Sequence, residues 1–515
     1  MSSNTLNLSA KTGLKSMDRI EDADVDSQFL QKLPLAFVKK NLVFPLKKQG
    51  NALMVALSDP RSLYALEDIA RACGMPVTPV VVPAEQILDA IHRFYERTGG
   101  SAEELISELH GESLDELSRH WDEPKDLIDL KDEAPIIKLL NSILYQAVKE
   151  RASDIHIEPF EKGVDVRFRR DGVLYSIVAP PRVIHDALVS RVKIMSGLDI
   201  AEKRLPQDGR IRLLVAGKDV DVRVSIIPTA FGERVVLRLL DRKGGTVSLN
   251  ELGLSKAIGN DIDALLVRTN GIMLVTGPTG SGKTTTLYAC INRINTLERN
   301  VITIEDPIEY QLKGVGQIQV NAKIGLSFAN GLRSILRQDP DVIMVGEIRD
   351  SETAEMAIQA SLTGHIVLST LHTNDAPSAV TRLVDMGVQQ FLLSSTIAAV
   401  VAQRLVRVLC ASCRQEYEPT EVEAEMFGGM KPASLFRPIG CAKCLRTGYS
   451  GQTGIFEFMR MDQEMRLIVL KNSDSTSIKA HAIKMGMKTL RDDGLSKASS
   501  GVTSLEEVIR VTHGE

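Results

Sequence analysis

Gly277-Pro278-Thr279-Gly280-Ser281-Gly282-Lys283-Thr284 follows the apolar run Gly271-Ile272-Met273-Leu274-Val275-Thr276 and precedes Thr285, Leu287, Tyr288, Ala289 and Cys290. Strand, glycine-rich loop and helix in that order form the context a P-loop requires. The glycines let backbone N–H groups turn toward phosphate oxygens, and the helix N-terminus adds partial positive charge. Lys283 is placed to reach the β- and γ-phosphates, and the Thr284 hydroxyl to ligate Mg²⁺. The stretch predicts a nucleoside triphosphate site on the first strand of an α/β sheet.

From about residue 249 onward, apolar runs alternate with helical segments. Strands are expected over 272–276, Val301–Glu305, Val342–Val345 and 366–370, as in a parallel α/β sheet. Upstream the pattern differs. Residues 134–150 have apolar side chains at helical spacing, and from Ser153 the period becomes two. Hairpins are expected about Arg170-Asp171-Gly172 and Ala216-Gly217-Lys218, giving an α+β middle domain with a mainly antiparallel sheet. Residues 28–97 read as a small α/β domain, with strands over Ala52–Leu57 and 77–82 and a helix over Ala84–Tyr95. The expected domains are 1–100, an acidic linker 101–131, 132–245 and 246–515.

A chain of 515 residues is too long for one core and suggests roughly three domains. A net charge of -4 and 4% aromatic residues, with Trp121 the single tryptophan, argue against a nucleic-acid coat or a base-stacking platform. The N-terminal 26 residues lack the apolar core of a signal peptide, and no apolar run reaches the ~18 residues of a membrane helix. A cytoplasmic protein is therefore expected, meeting membranes through a partner. Of six cysteines, Cys73 and Cys290 stand alone, while Cys410/Cys413 and Cys441/Cys444 form two Cys-x-x-Cys pairs with 27 residues between them. In a reducing compartment that spacing predicts a structural four-thiolate Zn²⁺ site within about 408–447.

Three further segments place polar groups at expected strand ends. Ile304-Glu305-Asp306-Pro307-Ile308-Glu309 offers three carboxylates, one of which can deprotonate an attacking water; carboxylates there also serve as helix caps or surface charge. Val342-Ile343-Met344-Val345-Gly346-Glu347 resembles a Walker B strand, with Glu347 where many P-loop proteins have Asp. Magnesium releases water reluctantly, so Glu347 would hold it through water. In His365-Ile366-Val367-Leu368-Ser369-Thr370-Leu371-His372, Thr370 and His372 are candidate γ-phosphate sensors, although a histidine in such a run is also an ordinary structural group.

Together with Leu336-Arg337-Gln338-Asp339-Pro340-Asp341, Ala152-Ser153-Asp154-Ile155-His156-Ile157-Glu158-Pro159 and Arg204-Leu205-Pro206-Gln207-Asp208-Gly209-Arg210, these segments resemble the type II secretion and type IV pilus ATPase family of hexameric motors. The resemblance runs from about Asp132 to the C-terminus, and Leu33-Pro34-Leu35-Ala36-Phe37 looks like the start of the secretion-type first domain. It implies an α/β protein: a RecA-like P-loop domain preceded by an α+β, PAS-like domain and a small N-terminal α/β domain. It implies Glu309 as general base, Glu347 as Walker B acid, and nucleotide contacts from Gly277 to Thr285, Glu305 and His372. Arg223 and Arg238 would reach nucleotide across a subunit boundary, with ATP between the middle and P-loop domains and a hinge near Gly244-Gly245. Arg333, Arg337, Arg349 and Arg382 would line the motor or its interface. ATP, Mg²⁺ and Zn²⁺ are the implied ligands. The implied partners are five further copies of the chain, a polytopic platform protein, and the cytoplasmic part of an inner-membrane platform component met by residues 1–100; nucleic acid is not expected. The tetracysteine and residues 317–326 favour the secretion branch, whereas Asn374-Asp375-Ala376-Pro377 is equally similar to the pilus-assembly branch. A nucleic-acid translocase is the rival from another class. The first domain has no Arg-Leu-Gly-led repeat, so cyclic di-GMP is not an expected ligand.

Overall fold

The computed structural model describes residues 15–513, apart from 18, 22–23, 31, 34–36, 39–40, 59–63, 96–134, 216–217, 242–246, 429–431 and 472–473. The expected acidic linker and the Gly244-Gly245 hinge lie outside the described residues. The chain divides into two compact units, Met1–Asp241 and Arg242–Glu515. No helix among the described residues is long and apolar enough to cross a membrane.

The first unit holds two sheets. In the four-stranded one, β1 (Lys15–Ser16), β2 (Val43–Gln49), β3 (Ala52–Leu57) and β4 (Val77–Val81) are ordered β1-β4-β3-β2. Pairing of β3 with β4 is parallel and of β2 with β3 antiparallel. Helices Tyr64–Cys73 and Ala84–Tyr95 turn Ile69, Ile87, Ile91 and Phe94 onto Phe44, Leu53 and Val55. The second sheet is antiparallel throughout, in the order β7-β6-β5-β10-β9-β8, with β5 at Asp154–Pro159, β6 at Val164–Arg170, β7 at Val173–Val178, β8 at Gln207–Val215, β9 at Lys218–Thr229 and β10 at Gly232–Asp241. Asp171 and Gly172 both have positive φ, the requirement of the tight hairpin that joins β6 to β7. Helices Pro135–Lys149 and His185–Met195 close one face over Ile155, Ile157, Val166 and Phe168.

The second unit is built on seven strands in the order β13-β12-β14-β15-β11-β16-β19. These are β11 (Gly271–Thr276), β12 (Val301–Glu305), β13 (Gly316–Gln319), β14 (Val342–Val345), β15 (Ile366–Leu371), β16 (Ile397–Leu409) and β19 (Tyr449–Arg460). All neighbours pair parallel except β16 with β19. Every residue of β11, β12, β14 and β15 is buried, which is why they read as unbroken apolar runs. Alternation still sorts the side chains. Ile272 and Leu274 join one apolar cluster, Met273 and Val275 another, one on each face of the sheet. A two-stranded ribbon, β17 (Gln415–Tyr417) with β18 (Leu435–Arg437), lies between the cysteine pairs in sequence.

Candidate nucleotide site and tetracysteine centre

β11 delivers the chain at its carboxyl end into the loop 277–282. Gly277 has φ 149°, and a Cβ there would lie 2.3 Å from the Gln403 carbonyl oxygen on β16, so the close turn admits only glycine. Gly282, in the left-handed region, precedes helix Lys283–Ile294, whose N-terminus carries no side-chain cap and no acidic residue in its first turn. Its first N–H groups are thereby open to an anion. Ser281 Oγ is buried with no hydrogen-bond partner among the described residues. An uncapped helix start, a glycine-only turn and an orphaned hydroxyl fit a phosphate chain. Thr284 and Thr285 follow in the first helical turn, both half-buried.

Lys283 Nζ donates to the carbonyls of Gly277 at 2.7 Å and Pro278 at 3.1 Å, and lies 3.4 Å from His372 Nδ1. Burial lowers its pKa to about 8, against the opposing pull of Glu347. On its other side the His372 ring places Nε2 3.1 Å from Glu347 Oε2, and Arg349 Nη2 lies 2.5 Å from Glu347 Oε1. Lys283, His372, Glu347 and Arg349 thus form one chain of contacts where β11, β14 and β15 end. Cross-links fix those ends: Thr276 Oγ1 accepts from Thr373 N at 2.8 Å, and Ser369 and Thr370 hydroxyls donate to the carbonyls of Val345 and Gly346. Thr370, expected as a phosphate sensor, is buried with its hydroxyl occupied in this way.

The acidic box divides. Glu305 is 2% exposed, and its carboxylate accepts from the hydroxyls of Tyr288 and Thr303 and from Gln317 Nε2. Burial raises its pKa, partly offset by those hydrogen bonds. Expected as a nucleotide contact, Glu305 instead points into the interior, because the last residue of a fully buried strand follows the strand's alternation. Glu309, four residues on, is half-buried, and its N–H donates to Tyr288 Oη at 3.4 Å. Of the four arginines expected to line the motor, Arg349 contacts this cluster through Glu347; Arg333 pairs with Glu352, Arg337 donates to the Arg333 carbonyl, and Arg382 lies on helix Ala376–Asp385. Tyr288 was legible only as the start of a helix, and nothing in the sequence marks its hydroxyl.

In the first unit, strand register sets Arg210, Arg223 and Arg238 directly opposite one another on β8, β9 and β10, followed by Asp154 and Arg169 on β5 and β6. Arg238 Nε donates to Asp154 Oδ1 at 2.9 Å. Three arginines thus follow one another across the sheet, and the Asp154 carboxylate is the next member of the row. The sequence pattern assigns Arg210 no role; strand register alone places it beside Arg223.

The cysteines converge. β16 runs into Cys410 and Cys413, the 3₁₀ turn Ala442–Cys444 ends on Cys444 and is capped by Cys441, and the four Sγ atoms lie within 4.8 Å of one another. Cys410–Cys441, Cys413–Cys444 and Cys441–Cys444 separations are 4.0, 3.7 and 3.7 Å. Zinc–sulfur bonds of about 2.3 Å in a tetrahedron require about 3.8 Å between sulfurs, so the donor set fits Zn²⁺. Cys441 N and Gly448 N donate to Cys444 Sγ at 3.1 and 3.2 Å, which stabilises a thiolate there.

Residues 129–510 match the Type II/IV secretion system protein family, and residues 16–101 match the MshEN domain. The chain is 49% identical over 491 residues to Type II secretion system protein E of Pseudomonas aeruginosa, covering 94% of this chain and 97% of that protein. It is 46% identical to Type II secretion system ATPase E of Vibrio cholerae (95% and 98% covered) and 42% identical to the Type IV pilus assembly ATPase PilB of Myxococcus xanthus (98% and 89%). The crystal structure of the Legionella pneumophila ATPase DotB shares the fold, with a TM-score of 0.55 at 24% identity over 76% of this chain and 98% of that one. With the P-loop, both acidic segments and the histidine segment on one sheet edge, this chain belongs to the type II/IV secretion system protein family.

Proposed function

We propose that the chain is the Mg²⁺-dependent ATP-hydrolysing motor of a type II secretion machine, driving pseudopilus assembly as a homo-hexamer attached peripherally to the inner membrane. The observation that carries this reading is the contact chain Lys283–His372–Glu347–Arg349 beside an uncapped P-loop helix. Backbone N–H groups of 277–282 would hold the phosphates, and Lys283 would exchange the Gly277 and Pro278 carbonyls for β- and γ-phosphate oxygens. Thr284 and Glu347 would hold Mg²⁺, Glu347 through water. When bound, the ion neutralises charge developing on the phosphates. Glu309 would take the proton of the attacking water, while His372 fixes the Glu347 carboxylate. Arg223 and Arg238, joined by Arg210, would supply positive charge to a neighbouring copy's nucleotide. The four cysteines would hold one structural Zn²⁺, and residues 1–100 would dock on the cytoplasmic part of a platform component.

A second reading, a pilus-assembly motor, rests on the 42% identity to the Myxococcus xanthus pilus ATPase. Export and piliation assays in a strain lacking the gene separate the two. For the site, Lys283→Ala and Glu347→Gln in the assembled protein should each cut turnover by about 100-fold or more. A Glu347→Gln protein hydrolysing ATP at the parental rate refutes the assignment of Glu347.

A further inference from the structure

The P-loop helix carries a second polar device one turn beyond the phosphate-binding threonines. Tyr288 is fully buried, four residues after Thr284 on helix Lys283–Ile294. Its hydroxyl donates to the buried Glu305 carboxylate at the end of β12 and accepts the N–H of Glu309 at 3.4 Å. Its ring meets Tyr310 edge to face, with centroids 4.6 Å apart and an interplanar angle of 86°. Gln317 Nε2 on β13 spans Glu305 Oε1 at 3.1 Å and the Tyr310 carbonyl at 3.2 Å, while Gln317 Oε1 accepts Leu312 N at 2.7 Å. Tyr288 and Gln317 thus hold the loop carrying Glu309 at residues 309, 310 and 312.

This arrangement serves poorly as a stability device. A buried carboxylate ringed by three neutral donors costs desolvation that an apolar side chain of similar size would avoid. Fully satisfied networks of this kind define one geometry. Here the geometry defined is the distance between the helix that receives phosphate and the residue assigned as general base. We infer that Tyr288, through Glu305 and Gln317, is a positioning residue that ties the placement of Glu309 to the P-loop helix. The inference rests on the reading of Glu309 as the base. Movement of the helix when phosphate enters its N-terminus is transmitted by the Tyr288 hydroxyl to the Glu309 amide, so base and nucleotide come into register together.

The test uses the full-length assembled ATPase. Glu309→Gln comes first and should abolish turnover. If it hydrolyses ATP normally, the base assignment fails and the inference with it. With Glu309→Gln inactive, Tyr288→Phe, which keeps the ring contact and removes the hydroxyl, should lower kcat about tenfold or more with KM for ATP within about twofold. Hydrogen exchange should quicken at the Glu309 amide and stay unchanged in the strands of the sheet. If Tyr288→Phe melts early, Gln317→Leu reports on the same loop from the other side, with the same expected split. A parental kcat in Tyr288→Phe, or a loss of kcat with exchange raised throughout the domain, overturns the inference and leaves the Glu309 assignment standing.

Discussion

Raising the pH of the nucleotide-free protein should weaken ATP binding before it affects the fold, because Lys283 is poised to lose its proton. Its pKa of about 8, against an ordinary 10.5, comes chiefly from burial under the P-loop. At pH 7 about one-tenth of the side chains are neutral, at pH 8 about half and at pH 9 about nine-tenths. The triphosphate restores the charged form, so binding at pH 8 should take up about half a proton, and affinity should fall about fivefold between pH 8 and pH 9. Calorimetric titration with a non-hydrolysable analogue, in buffers of different ionisation enthalpy, reads that uptake directly. Lys283→Met should bind weakly and without pH dependence over this range. The same shift acts on folding. The unfolded chain keeps the Lys283 proton until about 10.5, so between pH 8 and 10.5 it binds more protons than the native state. In this window the Lys283 contribution to nucleotide-free stability rises with pH, by at most about 3 kcal/mol. Zero proton uptake at pH 8 in a protein that still binds nucleotide through Lys283 would refute the reasoning.

Zinc removal should act locally: metal analysis should find one Zn²⁺ per chain, and Cys441→Ser should lose it, lower the melting temperature by several degrees and expose residues 410–444 to protease. Glu507, fully buried, has its pKa held down at about 2: burial would raise it, but hydrogen bonds from Arg510 and Arg407 prevail. Its contribution, about 3 kcal/mol, is complete above pH 4.5 and lost as pH falls from 4.5 toward 2, so in Glu507→Gln denaturant titrations should show lower stability at pH 7 and a flatter acid limb. Gly277→Ala, whose Cβ would meet the Gln403 carbonyl oxygen at 2.3 Å, should bind no fluorescent nucleotide while keeping the far-ultraviolet dichroism of the parent.

What could be read in the sequence follows from how each residue is buried. β11, β12, β14 and β15 are covered on both faces, so their apolar runs and polar ends announced the sheet and most of the candidate site at its edge. β16 was less visible because Gln403 and Arg404 interrupt an apolar run that the strand continues through to Leu409. Each finds a partner inside, although Gln403 Nε2 has none among the described residues: the Thr286 hydroxyl donates to Gln403 Oε1, and Arg404 donates to the Val511 carbonyl. Such satisfaction depends on residues more than 100 positions away, which no local pattern encodes. Glu305 shows the same limit from the opposite side. A carboxylate at the end of a strand reads as ligand-facing by position alone; the outcome depends on whether neutral donors wait inside. Tyr288, Thr303 and Gln317 supply them, from three elements that meet only in the folded sheet. The acidic box therefore carries two carboxylates with opposed surroundings. Glu305 lies in the interior and fixes geometry, while Glu309 stands four residues further on, where the loop leaves the sheet.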